Sequence, residues 1–487
     1  MELRSLLRRA RRLRPWGAPS AVADVRAPET SPVAPMNDLG ARPSEPVSRS
    51  IYAELLDNAW PLVTAMAGEI LLGLVDTKLV TGLGTDALAG VGIATTLMWV
   101  CYALAMGLSR GVKVRVAFAV GEGRSGDAST YGAAGAIIAF AYGLVVFALG
   151  RDIGPLLVAL RIDAHAVPFG RDFFSAVTFG APGACAAMAL VQHRQGIGDA
   201  RTPMFVTLVG NVLNASLGYG LIYGRFGLPA LGVHGGGLAT ALVQSLNFAA
   251  LLGLLLRDQR RAPVRLGQLS KAAREVVRVG LPTGAQFLGE ILAFCTFSVL
   301  LGSIAAAESA ANQIAIATIR ASFLPGLAVG EAACVLVGQA LGAGRYDDAR
   351  RAVRGALHLA VAFMAACGVL FAVAGKSIAR AFTDDAEVGR IVTKLLLLAA
   401  VFQVLDAVNI VYRCALRGAE DVRVPALLGI GIVWTTVPLS AYLLGSVAGW
   451  GAVGGWCGFV LETALGAALF YMRFRRLSAR FGATQNA

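Results

Sequence analysis

Charge is what this chain has least of. Of its 487 residues only 15% are Asp, Glu, Lys or Arg, where a soluble protein carries about 25%. Histidine is sparse too. The four, at 165, 193, 234 and 358, are scattered and offer neither a zinc set nor a Ser-His-Asp arrangement. Seven cysteines (101, 185, 295, 334, 367, 414 and 457) fall in or beside apolar stretches at no metal spacing. They read as small core residues rather than disulfides. No phosphate loop is visible. Gly121-x-Gly123 and Gly342-x-Gly344 lack the strand and helix setting of a nucleotide fingerprint and read as turns. No ATPase module and no cofactor motif is present. A membrane enzyme would need a catalytic cluster at one membrane face, and none is seen.

What remains is apolar. Hydrophobic residues make up 56% of the chain, mean hydropathy is +0.66, and there are 58 glycines. Stretches of about 20 apolar residues recur, each long enough to cross about 30 Å of hydrocarbon as a helix. Helices are required because backbone groups in lipid must pair within their own segment, and the runs are too long for barrel strands. Small residues suit this setting, since they let membrane helices approach closely. The runs give six spans in each half. They lie roughly at 58–82, 87–109, 131–151, 171–193, 203–224 and 236–256, then at 280–303, 308–340, 353–375, 390–415, 425–447 and 452–472. The stretch 308–340 is too long for one straight crossing. It either continues as a helix beyond the membrane or bends near Pro325.

The two halves repeat one another. A shift of 221 positions aligns 61–128 with 282–349 without a gap. Pro61 falls on Pro282, Gly68-Glu69-Ile70-Leu71 on Gly289-Glu290-Ile291-Leu292, and Gly121-x-Gly123-Arg124 on Gly342-x-Gly344-Arg345. Further on, Gly198-Asp199 answers Glu420-Asp421. A unit this long is no solenoid repeat; a duplicated half in an apolar chain is the mark of a transporter. Because six is even, both halves start on the same side. The expected fold is therefore an all-α membrane protein of twelve transmembrane helices, in two six-helix lobes related by a parallel repeat. A substrate cleft would lie between the lobes. The expected organisation is a tail (1–50), an N-lobe (51–256), a linker (257–278), a C-lobe (279–476) and a C-terminal tail (477–487).

Basic residues crowd alternate loops: Arg257, Arg260, Arg261, Arg265, Lys271, Arg274 and Arg278 between the halves, and Arg473, Arg475, Arg476 and Arg480 at the end. The positive-inside rule then places the linker and both termini in the cytoplasm of a cell (inner) membrane. The net charge of +13 is topological and does not call for nucleic acid. The first 50 residues are rich in Arg and Pro and read as a disordered tail. Leu3, Leu6, Leu7, Ala10 and Leu13 also form one helical stripe that could lie on the membrane surface. Met36 is a candidate alternative start.

Carboxylates inside apolar spans are costly to bury and are functional suspects. Glu69 and Asp76 share a face of span 1, two turns apart. Glu290 is the repeat partner of Glu69, Asp406 lies deep in span 10, and Glu331 and Glu462 also lie within spans. The plainer reading of each is a carboxylate neutralised by a neighbouring arginine, with Arg320 of span 8 as the obvious partner.

Several stretches resemble one family. Leu74-Val75-Asp76-Thr77-Lys78 followed by Gly82-Leu83-Gly84, Ala310-Ala311-Asn312-Gln313-Ile314, Val335-Leu336-Val337-Gly338-Gln339-Ala340-Leu341-Gly342-Ala343-Gly344 and Leu416-Arg417-Gly418-Ala419-Glu420-Asp421 are similar to the MATE (multidrug and toxic compound extrusion) transporters, in order and spacing, over roughly 52–476. The resemblance implies a cation antiporter driven by sodium or protons. It places the first-helix acid on Asp76. From the bacterial NorM-type branch it places a glutamate on Glu290 and a helix-10 aspartate on Asp406, which makes Glu290 and Asp406 the candidate sodium site. Two departures follow. The tyrosine expected four residues before the aspartate is Phe402, which offers no oxygen. The asparagine of the archaeal-type N-lobe pair is present as Asn214, but its partner position is Gly218, leaving Glu69 as an unusual substitute. Protons are therefore expected over sodium, with Asp76 as the N-lobe responder.

A low-dielectric cleft lets a carboxylate keep its proton near neutral pH. Protons, sodium and an organic cation then compete for the same charge, and rocking of the lobes gives alternating access. The expected partners are a small cationic substrate and the lipid bilayer, for a monomeric carrier. The rival is a flippase for a lipid-linked sugar, which would carry a basic cavity instead of acids. The charge pattern makes one direct prediction. A cysteine placed at Arg265 should react with a membrane-impermeant thiol reagent only when the cytoplasmic face is exposed; labelling from outside alone would reverse the topology.

Overall fold

The computed structural model describes residues 50–485; the N-terminal tail, with its candidate surface helix, lies outside the described residues. Every regular element described is helical. In chain order these are α1 (Ile51–Thr81), α2 (Thr85–Gly121), α3 (Ser125–Leu149), the short α4 (Gly154–Ala159), α5 (Val167–Thr178), α6 (Ala181–Gly196), α7 (Arg201–Tyr223) and α8 (Gly232–Asp258). The second group is α9 (Leu269–Ile304), α10 (Ala306–Gly342), α11 (Tyr346–Phe382), α12 (Ala386–Gly418), α13 (Arg423–Ser440, continued by a wider turn over Ala441–Val447) and α14 (Gly451–Gln485). Among the described residues ten helices are long and apolar enough to cross a membrane. The pair α5 and α6, bent by 56° at its break, makes an eleventh crossing, and α1, 31 residues long, stands as the twelfth. The chain is a multi-pass membrane protein of two six-helix lobes.

The repeat is visible in the packing. In the N-lobe α1 lies on α7, α6 on α2, α3 and α8, and α7 on α8; in the C-lobe α9 lies on α13, α12 on α10, α11 and α14, and α13 on α14. Each N-lobe pair has its C-lobe counterpart. The turns after α2 and α10 match as well: Gly123 and Gly344 have φ of +73° and +71°, a left-handed conformation that glycine takes without strain. The tighter match is at Gly198, φ +91°, whose counterpart Glu420 has φ +60°. A glutamate in this region is uncommon, and its carboxylate is used: it pairs with Arg115 of α2, across the lobes.

The span boundaries differ from the sequence reading where charges intervene. The second span does not end near 109 but runs as helix to Gly121, 37 residues in all, the same length as its counterpart α10. The long stretch at 308–340 is one continuous helix through Pro325. The span placed at 171–193 is a broken helix, interrupted at Phe179-Gly180, and Pro168 and Pro182 sit at the starts of its two parts, where the missing N–H costs nothing.

The lobes meet on α2, α9 and α10. Gly107-x-x-x-Gly111 on α2 faces Gly280-x-x-x-Gly284 on α9. A methyl group at Gly111 would lie 2.6 Å from the Val276 carbonyl oxygen, and one at Gly280 would lie 2.7 Å from the Leu108 Cα. Only glycine permits backbones this close. Beside this crossing Glu331 of α10, 3% exposed, receives hydrogen bonds from Lys113 Nζ at 2.6 Å, Arg417 Nη1 at 3.0 Å and Arg110 Nε at 3.1 Å. Lys113 and Arg110 belong to the N-lobe, Glu331 and Arg417 to the C-lobe. Lys113 also donates to Gln195 at 3.1 Å. Arg110 further lies 4.0 Å above the Phe287 ring of α9. Arg115 completes the strap, binding Glu275 at 2.6 Å as well as Glu420. Tyr131 also donates to Glu275, and further cross-lobe hydrogen bonds, Tyr52 with His358 and Gln339 with the Gly196 carbonyl, are also on the linker side of the helices.

Arg110 and Glu331 are 221 residues apart, the repeat shift itself. They occupy equivalent positions of the two halves and meet on the pseudo-twofold axis. Arg320, the partner proposed from sequence for the intraspan acids, is exposed instead; Glu331 is neutralised by Arg110 and Lys113 of the other lobe and by Arg417 of its own. Removing the carboxylate of a buried pair strands the cations, at a cost of about 3–5 kcal/mol. Glu331→Gln should therefore lower the melting temperature of the detergent-solubilised protein by several degrees, and an unchanged melting curve would show the cluster to be energetically idle.

Candidate cation site

The intraspan acids divide between the lobes. In the N-lobe, Asp76 is half-buried on α1 and Glu69 is exposed one face-repeat earlier. Neither makes a hydrogen bond or ion pair among the described residues. Asn214 is buried on α7 and donates to Thr240 Oγ1 at 3.3 Å, not to Asp76. The helices α1 and α7 pack together, but the side chains expected to cooperate there are not in hydrogen-bond contact. Gly218, where the archaeal-type partner would stand, has Leu79 as its nearest neighbour.

The C-lobe acids converge. Glu290 on α9 accepts from Gln286 Nε2 and from Arg413 Nη1, each at 2.9 Å. Asp406 on α12 is 4% exposed, is hydrogen-bonded by the Asn409 side chain, and lies within the electrostatic reach of Arg413 and Glu290. Glu462, half-buried on α14, interacts with Asp406, Glu290 and Arg413. Glu290 thus pairs directly with Arg413, and Asp406 and Glu462, from two further helices, lie in the electrostatic field of the same arginine. Asp406 Oδ2, Asn409 Oδ1 and Arg413 Nε are buried without a hydrogen-bond partner. Such orphaned polar atoms are rare in finished interiors, and three of them lie on one face of α12. Phe402, one turn before Asp406, is part of an apolar cluster with Leu398, Ile319 and Val433 and contributes no oxygen. No group of three or more Asp, Glu, His or Cys residues among those described is placed to hold a metal ion.

Sequence reasoning singled out Glu290, Asp406 and Glu462 as intraspan acids, named Arg417 only within a family motif, and did not name Asn409 or Arg413. The available signal was periodicity. Asp406, Asn409, Arg413 and Arg417 follow at intervals of three and four and so lie along one face of α12.

The MatE family model matches residues 61–220 and again 282–442, one match in each lobe. The chain belongs to the MatE family. It is a membrane transporter and not an enzyme. It is 32% identical to the probable multidrug resistance protein NorM of Xanthomonas campestris pv. campestris over 87% of this chain and 94% of that protein. To the NorM of Burkholderia pseudomallei it is 33% identical over 88% and 93%. Among solved structures, a MATE protein in the bent conformation superposes with a TM-score of 0.82 at 21% identity, covering 90% of this chain and 98% of that one. An outward-facing multidrug resistance MATE transporter gives 0.80 at 20%, covering 89% and 97%. The last two likenesses are of fold; the family rests on the family match and the NorM proteins.

Proposed function

We propose that this MatE transporter exports amphipathic organic cations in exchange for protons or sodium, from an inner membrane in which the linker and both termini are cytoplasmic. The observation that carries the reading is the meeting of Glu290, Asp406 and Glu462 inside the C-lobe, with unpartnered buried oxygens on Asp406 and Asn409. Acids in this setting attract a cation and can hold a proton. The relatives named as multidrug resistance proteins support a drug-like cargo.

With the linker end cytoplasmic, the cross-lobe contacts close the inner side, and the cleft opens outward. The cycle then requires the Glu331 cluster to part when the inner side opens. The coupling ion enters from outside at the C-lobe acids, with Asp76 as the second, N-lobe responder. Phe402 offers no oxygen where the NorM-type branch has a tyrosine, which removes one ligand from a sodium site that needs several, while a proton needs a single carboxylate, so protons are the favoured driver.

The test is efflux of ethidium from inside-out or reconstituted vesicles with pH and sodium gradients imposed separately. Glu290→Gln and Asp406→Asn should each abolish ion-driven efflux while leaving expression and melting behaviour near those of the parent. Asp76→Asn should retain transport but lose its dependence on pH. Full efflux by both C-lobe variants would sink the assignment of the site. Transport with sodium alone, and none with a pH gradient, would overturn the ion.

A further inference from the structure

Glu290 is not a bare carboxylate waiting for a cation. It already holds one. Arg413 reaches it from α12 with Nη1 at 2.9 Å, and the two side chains are 15% and 18% exposed. The guanidinium is charged at all accessible pH values, so it cannot be removed from the site by deprotonation. Its Nε is buried and unpartnered, so Arg413 is bound through one end of its fork rather than locked by a full set of bonds. Glu290, Asp406 and Glu462 favour its charge, while the like charges of Arg417 and Arg110 disfavour it. Gln286 is the other group bonded to Glu290.

We propose that Arg413 is the resident cation of the C-lobe site, bound to Glu290 when the site is empty and displaced from it by each incoming cation, so that it sets the affinity with which external cations are held. The inference rests on the reading that Glu290 and Asp406 receive the transported cation. A cation that enters must win Glu290 from a tethered competitor whose effective concentration is high because it sits on a neighbouring helix. Glu462 is the remaining acid in the electrostatic field of Arg413 and can take over part of its charge compensation. The carboxylates exceed the arginine by two in this cluster, so a monovalent cation can be taken up with Arg413 still in the neighbourhood; the exchange needs only a swing of one long side chain. A bulky, weakly hydrated organic cation loses less on leaving water than sodium does, so the resident arginine biases the site toward such cargo.

The experiment is equilibrium binding of tritiated tetraphenylphosphonium, and separately of radioactive sodium, to the full-length purified protein. Arg413→Gln removes the competitor and should tighten tetraphenylphosphonium binding about tenfold, the loss of one charge-assisted hydrogen bond of about 1.4 kcal/mol. The double variant Arg413→Gln with Glu290→Gln should lose that gain. Arg413→Lys keeps the charge without the planar fork and should give a smaller gain in the same direction; if Arg413→Gln fails to fold, this variant decides. Unchanged or weaker binding in the folded arginine variants would overturn the inference. Were Glu290→Gln alone to bind and transport as the parent does, the underlying reading of the site would fall with it. Loss of binding in Glu290→Gln with no gain from either arginine variant would overturn the inference while leaving that reading intact.

Discussion

One carboxylate buried between two lobes governs this architecture. Glu331 has almost no access to solvent, and an isolated charge in such surroundings is prohibitively costly. Its three cationic neighbours come from both lobes, so the charge is tolerable only while the lobes are together. The glycine crossing of α2 and α9 brings backbones close enough for the short side-chain reach of this cluster. Packing and charge therefore depend on one another at the same level of the membrane, and a separation of the lobes there must hydrate or re-pair four ionic groups.

The same helix that anchors the cluster carries the acid site. Asp406, Asn409, Arg413 and Arg417 run along one face of α12, and their charges alternate in role: Asp406 and Arg413 look to Glu290, Arg417 to Glu331. The distance between the cation site and the lobe interface is thus bridged by neighbouring side chains of a single rigid element. A change at Glu290 alters what Arg413 does, and Arg413 lies in the field of Arg417. On the reading proposed above, coupling between ion loading and lobe movement would have a short physical route.

Much of this was legible in the sequence. The repeat could be read directly because duplication preserved turn glycines and span-starting prolines, and the acids stood out because carboxylates are rare in apolar runs. The partners were less visible for a physical reason. Hydropathy ends a span where charge begins, so the second span was cut one residue before Arg110, and Lys113 and Arg115 fell outside it. Each is buried or half-buried by a partner that no local window contains. Arg320 was the nearest arginine to Glu331 along the chain but faces away; proximity in sequence was a poor guide to a pair that spans 221 positions. The break at Phe179-Gly180 was hidden because both half-helices are apolar and the bend is set by tertiary packing.

The pairing of Arg110 with Glu331 also bears on ancestry. A protein made by two identical halves would set a residue against its own copy wherever the symmetry axis is crossed, and a charged residue there would repel itself. In this chain that position is an arginine in one half and a glutamate in the other. At this position the two halves are complementary, not identical. Neither can be replaced by a second copy of the other without placing like charges in contact, so the fused gene cannot return to a self-pairing half.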